Sequence, residues 1–340
     1  MWVRCLSMAE KMLRLGLLAV DGCMLSSLAG PIDALRVAQI LSSIRSPARG
    51  IQFESVLIGA RGEPSVRTSE GMMLSGVVSP DRPLDIVLVP GLGFGATQKI
   101  DETLASLGPE VELLRSLHLR GVRLAGCCTG TFLLAHTGLL DGRRATTAWW
   151  MAASFRRHFP RIQLEAEAMV VDDGDITTTG AATAVFGLLS RLIAETGGED
   201  LAMQTSRMLL VDAERQSQAP YITQALMERP RHSLSERAQK FLDKQLHQDI
   251  SVAQMADHCG VSERSLLRHF KEHYGMSPLA YIQHQRVERA KALLEATHLS
   301  FDEVVERCGY SDVPSFRKLF KRETTLTPAD YRDRFSLRAR

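Results

Sequence analysis

The chain has 340 residues, of which 45% are hydrophobic and 24% charged, and a net charge of +2. That is the balance of an ordinary globular protein with two or three domains. Several classes are excluded at once. No apolar run approaches the ~18 residues of a membrane-spanning helix. The six Cys show no Cys-x-x-Cys pair and no Cys/His metal spacing, so neither a metal nor a cofactor is expected. The start of the chain lacks the basic, apolar and small-residue order of a signal peptide, so the expected compartment is the reducing cytoplasm.

In chain order, Leu13–Val20 is an apolar run closed by Asp21-Gly22 and reads as a buried strand. Residues 1–11 before it read as a tail. A helix is expected over 26–44, with Gly30-Pro31 near its start. Phe53–Ala60 reads as a strand, Thr68–Val78 as a hairpin around Gly71, and Asp85–Val89 as a strand ended by Pro90-Gly91-Leu92-Gly93. A single helix over 101–119 follows, then strand Val122–Cys127, a sharp turn at Cys128-Thr129-Gly130, and helix 131–137. Strands near 168–171 and 175–178 lead to helices 181–195 and 199–210. Strands alternating with helices imply a mostly parallel sheet covered on both faces.

The turn at Cys128 would lift its thiol to a helix N-terminus, where a thiol pKa falls and backbone N–H groups meet an anion. Together with Thr129, Gly91, Gly93 and Gly180, it forms a candidate ligand site at the carboxyl edge of the sheet. Trp149 could add an aromatic wall, although adjacent Trp residues are more often packing residues. Asp172-Asp-Gly-Asp175 reads as a tight turn rather than a Ca²⁺ loop, because the spacing of an EF-hand is missing. Residues 213–232 are polar with two prolines and read as a linker.

Beyond the linker one pattern is written twice. Ser251, Cys259 and Gly260 return as Ser300, Cys308 and Gly309 at an offset of 49. Phe270, Ser277-Pro278 and Tyr281 return as Phe320, Thr327-Pro328 and Tyr331 at an offset of 50. Each copy has a Ser N-cap, a short helix, a Gly-bearing turn and a second helix, which is the helix-turn-helix arrangement. Helical spacing sends Leu266, Phe270 and Tyr274 to the core and Arg264, Leu267, Arg268 and Lys271 outward. In the second copy Phe316 and Phe320 point in, and Pro314, Arg317, Lys318 and Lys321 point out, with Ser315 a further candidate for DNA contact. Cationic outward faces suit phosphate contact and guanine reading, and Leu267 suits a thymine methyl. Two ordinary helical hairpins with solvated faces are the bland alternative. Residues 231–340 also hold 19 Lys and Arg against 15 Asp and Glu, whereas the whole chain holds 41 against 39. The basic excess therefore lies at the end that would meet nucleic acid.

Residues 235–335 resemble the DNA-binding domain of the AraC/XylS family of bacterial transcription regulators, which joins two helix-turn-helix units by a linker helix. The resemblance implies two recognition helices in successive major grooves, ~34 Å apart. Leu28-Ala-Gly-Pro31, Val89-Pro-Gly91, the Cys128-Thr-Gly130 elbow and Gly138–Thr147 are similar to the PfpI-like branch of the class I glutamine amidotransferase-like superfamily. Together the two parts resemble the GlxA-type AraC regulators, in which a PfpI-like domain is the sensor. The implied fold is an α/β domain, flavodoxin-like or amidotransferase-like, over 12–212, followed by an all-α domain with two helix-turn-helix motifs over 233–337.

Enzymes of the PfpI branch pair the elbow Cys with a following His and with an acid from the first helix. Here those places hold Thr129 and Ser27, and a third place, often His in related regulators, holds Ala148. The expected function is therefore a sequence-specific regulator that binds promoter DNA and a small-molecule effector, and not an enzyme. A thiol-dependent hydrolase or lyase with an appended DNA-binding domain is the rival. A homodimer, paired through an apolar face such as helix 26–44, is expected, and RNA polymerase is a further candidate partner.

Overall fold

A computed structural model describes residues 12–45, 51–93, 100–212, 217–223 and 233–336. The 1–11 tail and much of the linker lie outside these. The chain divides into two compact units, Met1–Gln218 and Ala219–Arg340, a division inside the polar 213–232 stretch.

In the N-terminal unit the elements run β1 (Met12–Leu18), α1 (Ser26–Arg45), β2 (Gln52–Ile58), β3 (Ser65–Arg67), β4 (Met73–Ser75), β5 (Ile86–Val89), α2 (Ile100–Ser106), α3 (Gly108–Leu119) and β6 (Arg123–Cys127). They continue with α4 (Gly130–His136), β7 (Arg144–Ala145), α5 (Ala152–His158), β8 (Gln163–Leu164), β9 (Val170–Asp173), β10 (Ile176–Thr179), α6 (Val185–Gly197) and α7 (Glu199–Met208). Six strands form one sheet in the order β2-β1-β5-β6-β10-β9, parallel except for β9 against β10. Its central strands are apolar on both faces: Leu15, Leu17, Val87, Leu88, Leu124 and Ala125 are all buried. This is what a parallel sheet covered by helices on each side requires.

Three expectations are corrected. The helix over 101–119 is two helices, because Pro109 has no N–H to continue the first and sits in the opening turn of the second. The hairpin is shifted toward the N-terminus. Its strands are β3 and β4, and Thr68 lies in the turn, where its N–H bonds Met72 O at 2.8 Å. Pro31 falls inside α1, not at its start. The small β7–β8 pair and α5 carried no sequence signal strong enough to be expected.

The C-terminal unit holds α8 (Ser233–Gln245), α9 (Val252–His258), α10 (Glu263–Tyr274), α11 (Pro278–Ala296), α12 (Phe301–Arg307), α13 (Val313–Thr324) and α14 (Pro328–Phe335). Helix α9 begins with a capping box of Ser251 and Gln254, and α12 with one of Ser300 and Glu303. Ser262, Ser277, Asp312 and Thr327 cap α10, α11, α13 and α14. One core gathers Leu242, Met255, Leu266, Phe270 and Ile282, and a second gathers Val287, Leu294, Val304, Phe316 and Phe320. Helix α11 supplies both. The chain is thus an α/β domain with a mostly parallel sheet followed by an all-α double helix-turn-helix domain.

The two copies differ at the end of the recognition helices. Helix α10 ends at Gly275 in the left-handed conformation, and α13 ends at Thr325 in the same conformation, with φ of 63°. A β-branched residue is strained there, and Thr325 is exposed, so its side chain has little packing to lose. Relief of left-handed strain, ~1–2 kcal/mol, should outweigh the extra unfolded-state freedom of Gly, ~0.4–1 kcal/mol. Thr325→Gly should therefore raise the stability of the helical unit by roughly 0.5–1 kcal/mol in denaturant unfolding. A lower midpoint would show that the strain argument is wrong.

Candidate ligand site and nucleic-acid interface

The elbow forms where β6 turns into α4. Cys128 has φ of 55°, and its N–H donates to Thr179 O at 3.0 Å. A Cβ on Gly130 would overlap the carbonyls of Val89 and Pro90, so only glycine lets α4 start this close to the end of β5. The turn is thereby fixed against the neighbouring strand end that carries Gly91 and Gly93.

Side chains then close the donors of that strand end. Gly91 N–H donates to Ser27 Oγ at 3.2 Å, and Leu92 N–H donates to Thr129 Oγ1 at 2.8 Å. Thr129 Oγ1 donates in turn to Leu92 O at 2.8 Å. Ser27 and Thr129, at the places of an acid and a base in the related enzymes, thus act as hydrogen-bonding clamps on 91–92. Burial pushes the Cys128 pKa up, and the hydrogen bonds that oppose this come from Thr129 and the Ala182 backbone, with no acid or base among them. Burial thus outweighs the helix terminus, contrary to the sequence expectation of a depressed thiol pKa. The neighbouring Cys127 thiol is pushed up to about 12 by burial.

Gly180 lies at the end of β10, but its open face is not free. The side chain of Gln218 rests on it so closely that a Cβ there would overlap the whole carboxamide. Gln218 Oε1 accepts from Ala181 N–H at 2.8 Å. Its Nε2 donates toward Thr147 O, Ala166 O and Ala168 O, each at 3.0 Å, with Thr146 Oγ1 at 3.4 Å. Thr147 Oγ1 donates to Cys128 O at 2.8 Å, which ties this cage to the elbow. Gln218 was invisible to sequence reasoning as a site residue, since it sits in a polar stretch that reads as linker.

Trp149 is 7% exposed and packs edge to face on Trp150, with centroids 5.4 Å apart. It is therefore mostly buried in packing, with only a small part of its surface exposed. A separate cavity of about 200 Å³ is lined by Met169, Thr183, Phe186, Gly187, Leu210 and Asp212, among others. Among the described residues, no group of acids, His and Cys is arranged to hold a metal. Asp172, Asp173 and Asp175 instead pair with Arg191, Arg144 and Arg143 around the β9–β10 turn. The expected apolar face of α1 exists in part, with Ile40 and Ile44 exposed, and Met203 and Met208 are exposed on α7, which packs beside α1.

In the helical unit every residue expected to contact DNA is exposed. On α10 these are Arg264, Leu267, Arg268 and Lys271, and on α13 Pro314, Ser315, Arg317, Lys318 and Lys321. Leu267 is 45% exposed although it is apolar. Among the described residues, Arg264, Arg268, Lys271, Lys318 and Lys321 make no ion pair within 4.0 Å. Arg317 differs, since its guanidinium lies 4.5 Å from the centre of the Phe301 ring. Ser315 Oγ donates to Asp312 Oδ2 at 2.6 Å, which commits its proton to the cap of α13. That bond and the Ser315 N–H hold the Asp312 carboxyl below its ordinary pKa.

Two capped helix-turn-helix units behind an α/β domain define a DNA-binding transcription regulator. Residues 17–195 match the model of the DJ-1/PfpI family, and residues 255–334 match that of a helix-turn-helix domain. The chain is 30% identical to the HTH-type transcriptional regulator GlxA of Rhizobium meliloti, over 94% of this chain and 96% of that protein. It is 30% identical to the HTH-type transcriptional regulator CdhR of Pseudomonas aeruginosa, over 83% of this chain and 82% of that protein. A solved putative transcriptional regulator from Vibrio parahaemolyticus is 21% identical, with a TM-score of 0.47, over 58% of this chain and 100% of that one. The chain belongs to the GlxA-type AraC regulators, whose N-terminal domain is of the DJ-1/PfpI family.

The clamp at the elbow is open to direct measurement. Thr129→Val keeps the shape but leaves the N–H and C=O of the buried Leu92 unpaired, which should cost roughly 1–3 kcal/mol in urea unfolding of the α/β unit. Stability equal to wild type would mean that the hydroxyl does not hold this loop.

Proposed function

We propose that the chain reads promoter DNA with the outward faces of α10 and α13 and reads a small-molecule effector with its α/β domain, without catalysing a reaction. The observation that carries the DNA part is the pairing of two cationic faces at equivalent positions of two capped helices, with no ion pair to Arg264 or Arg268 among the described residues. Cations left unpaired on a helix face suit phosphates and base edges better than they suit folding. Arg264 and Arg268 are the proposed base readers of α10, and Leu267 between them is suited to a thymine methyl. Lys271, Lys318 and Lys321 are the proposed phosphate contacts. Pro314 and Ser315 bring the start of α13 against the backbone. Arg317, leaning on Phe301, presents a preset guanidinium and not a freely searching one.

The effector is proposed to act near the elbow, in the region of Cys128, Thr129, Gly91, Gly93, Trp149 and Gly180. What argues against a thiol hydrolase there is chemical. Burial pushes the Cys128 thiol pKa up, and the Gly91 and Leu92 N–H groups at the edge are already bonded to Ser27 and Thr129. A cytoplasmic homodimer, paired through the exposed apolar residues of α1 and α7 and acting with RNA polymerase, completes the reading.

Salt titrations of operator binding separate the roles. Arg268→Ala should cost ~1–3 kcal/mol and relax base preference at one position, whereas Lys318→Ala should weaken all sequences alike and lower the salt slope by about 1. Cys128→Ser should leave DNA affinity unchanged. Base preference and salt slope both unaltered in the Arg and Lys variants would remove these faces from the interface.

A further inference from the structure

Gln218 is the last residue of the α/β unit, and Ala219 already belongs to the helical unit. Gln218 lies in a polar stretch, yet it is 1% exposed. Its backbone is anchored as well: Gln218 N–H donates to Glu167 O at 2.6 Å, and Ser217 Oγ donates to the same carbonyl at 3.1 Å. The partners of the carboxamide also fix its orientation, since the only N–H in the set faces Oε1 and the carbonyls surround Nε2.

The cage is richer in acceptors than its occupant can use. Three carbonyls and one hydroxyl oxygen surround a nitrogen that carries only two hydrogens. An ammonium or amidinium head, with more N–H bonds and a positive charge, would satisfy those oxygens more fully. The absent Cβ of Gly180 provides the space for such a head group. Thr147 serves both the cage and the elbow, because its carbonyl accepts from Gln218 and its hydroxyl donates to Cys128 O.

We propose that the cage of Thr146, Thr147, Ala166, Ala168 and Ala181 beneath Gly180 is a ligand subsite filled by Gln218 as a built-in ligand, and that a small molecule with an ammonium or amidinium head displaces it. Displacement frees the chain at the point where it leaves the α/β unit, which is where a signal must pass to reach the DNA-binding unit. Only this consequence rests on the regulatory reading. The subsite itself is tested without DNA.

Two measurements on the full-length protein test it. In the wild type, the Ala181 amide reports the latch directly because it is bonded to Gln218 Oε1. Its hydrogen exchange should be at least ~10-fold faster than that of the β10 amides, which open only with the α/β unit. In Gln218→Ala the cage is vacant, so propylammonium and propionamide at tens of millimolar should raise the melting temperature of the variant by more than that of the wild type, where the probe must first displace Gln218. Gln218→Glu places a carboxylate among carbonyls and should leave the cage empty and responsive in the same way. Ala181 exchange no faster than global opening would make Gln218 a fixed part of the core and overturn the proposal. So would the absence of a probe response in both variants, or an equal response in wild type. Failure of operator binding with these results intact would count against the regulator reading and not against the subsite.

Discussion

Helix α11 has to satisfy two hydrophobic cores at once. Its first half gives Tyr281 and Ile282 to the core of the first helix-turn-helix unit, and its second half gives Val287, Ala290 and Leu294 to that of the second. Between the halves lies Arg286, buried, with its guanidinium donating to Gln248 O at 2.7 Å and lying 5.0 Å from the centre of the Tyr310 ring. Gly309 strengthens the same junction, since a Cβ there would come within 2.6 Å of Leu246 O. The two recognition helices are therefore parts of one rigidly built unit, and their outward faces are set by the burial of Leu266 and Phe270 on one and Phe316 and Phe320 on the other. A fixed pair of cationic faces is what reading two turns of a duplex requires.

The α/β unit keeps an enzyme-like turn whose polar neighbours are spent on hydrogen bonds within the fold. The strained Cys128 and the close approach at Gly130 stand at the carboxyl edge of the sheet. Around them the hydroxyls of Ser27 and Thr129 bond the backbone of residues 91 and 92. In the proposed reading, an effector must compete with those internal bonds.

Much of the helical unit was legible because its signals are local. A Ser before an apolar-periodic run and a Gly after it predict a capped helix from four or five neighbours, and Ser251, Ser262 and Ser300 each do this. The outward faces of α10 and α13 follow from spacing alone. The break at Pro109 was present in the sequence but was masked by apolar spacing that continues on both sides of it. The role of Gln218 could not be read, because its side-chain partners lie 37 to 72 residues away and most are backbone carbonyls with no residue identity. The same holds for Thr129: that it follows Cys128 is plain from the sequence, but that it clamps Leu92 depends on how two strand ends meet.

The central claim is that this chain recognises particular DNA through two cationic helix faces. It is tested most directly by binding of genomic fragments at near-physiological salt, with the wild type and an Arg268→Ala/Lys318→Ala double variant compared side by side. The account expects discrete protected sites with the wild type and their loss with the double variant, while the α/β domain stays folded. Weak binding that ignores sequence, equal in both proteins, would contradict it.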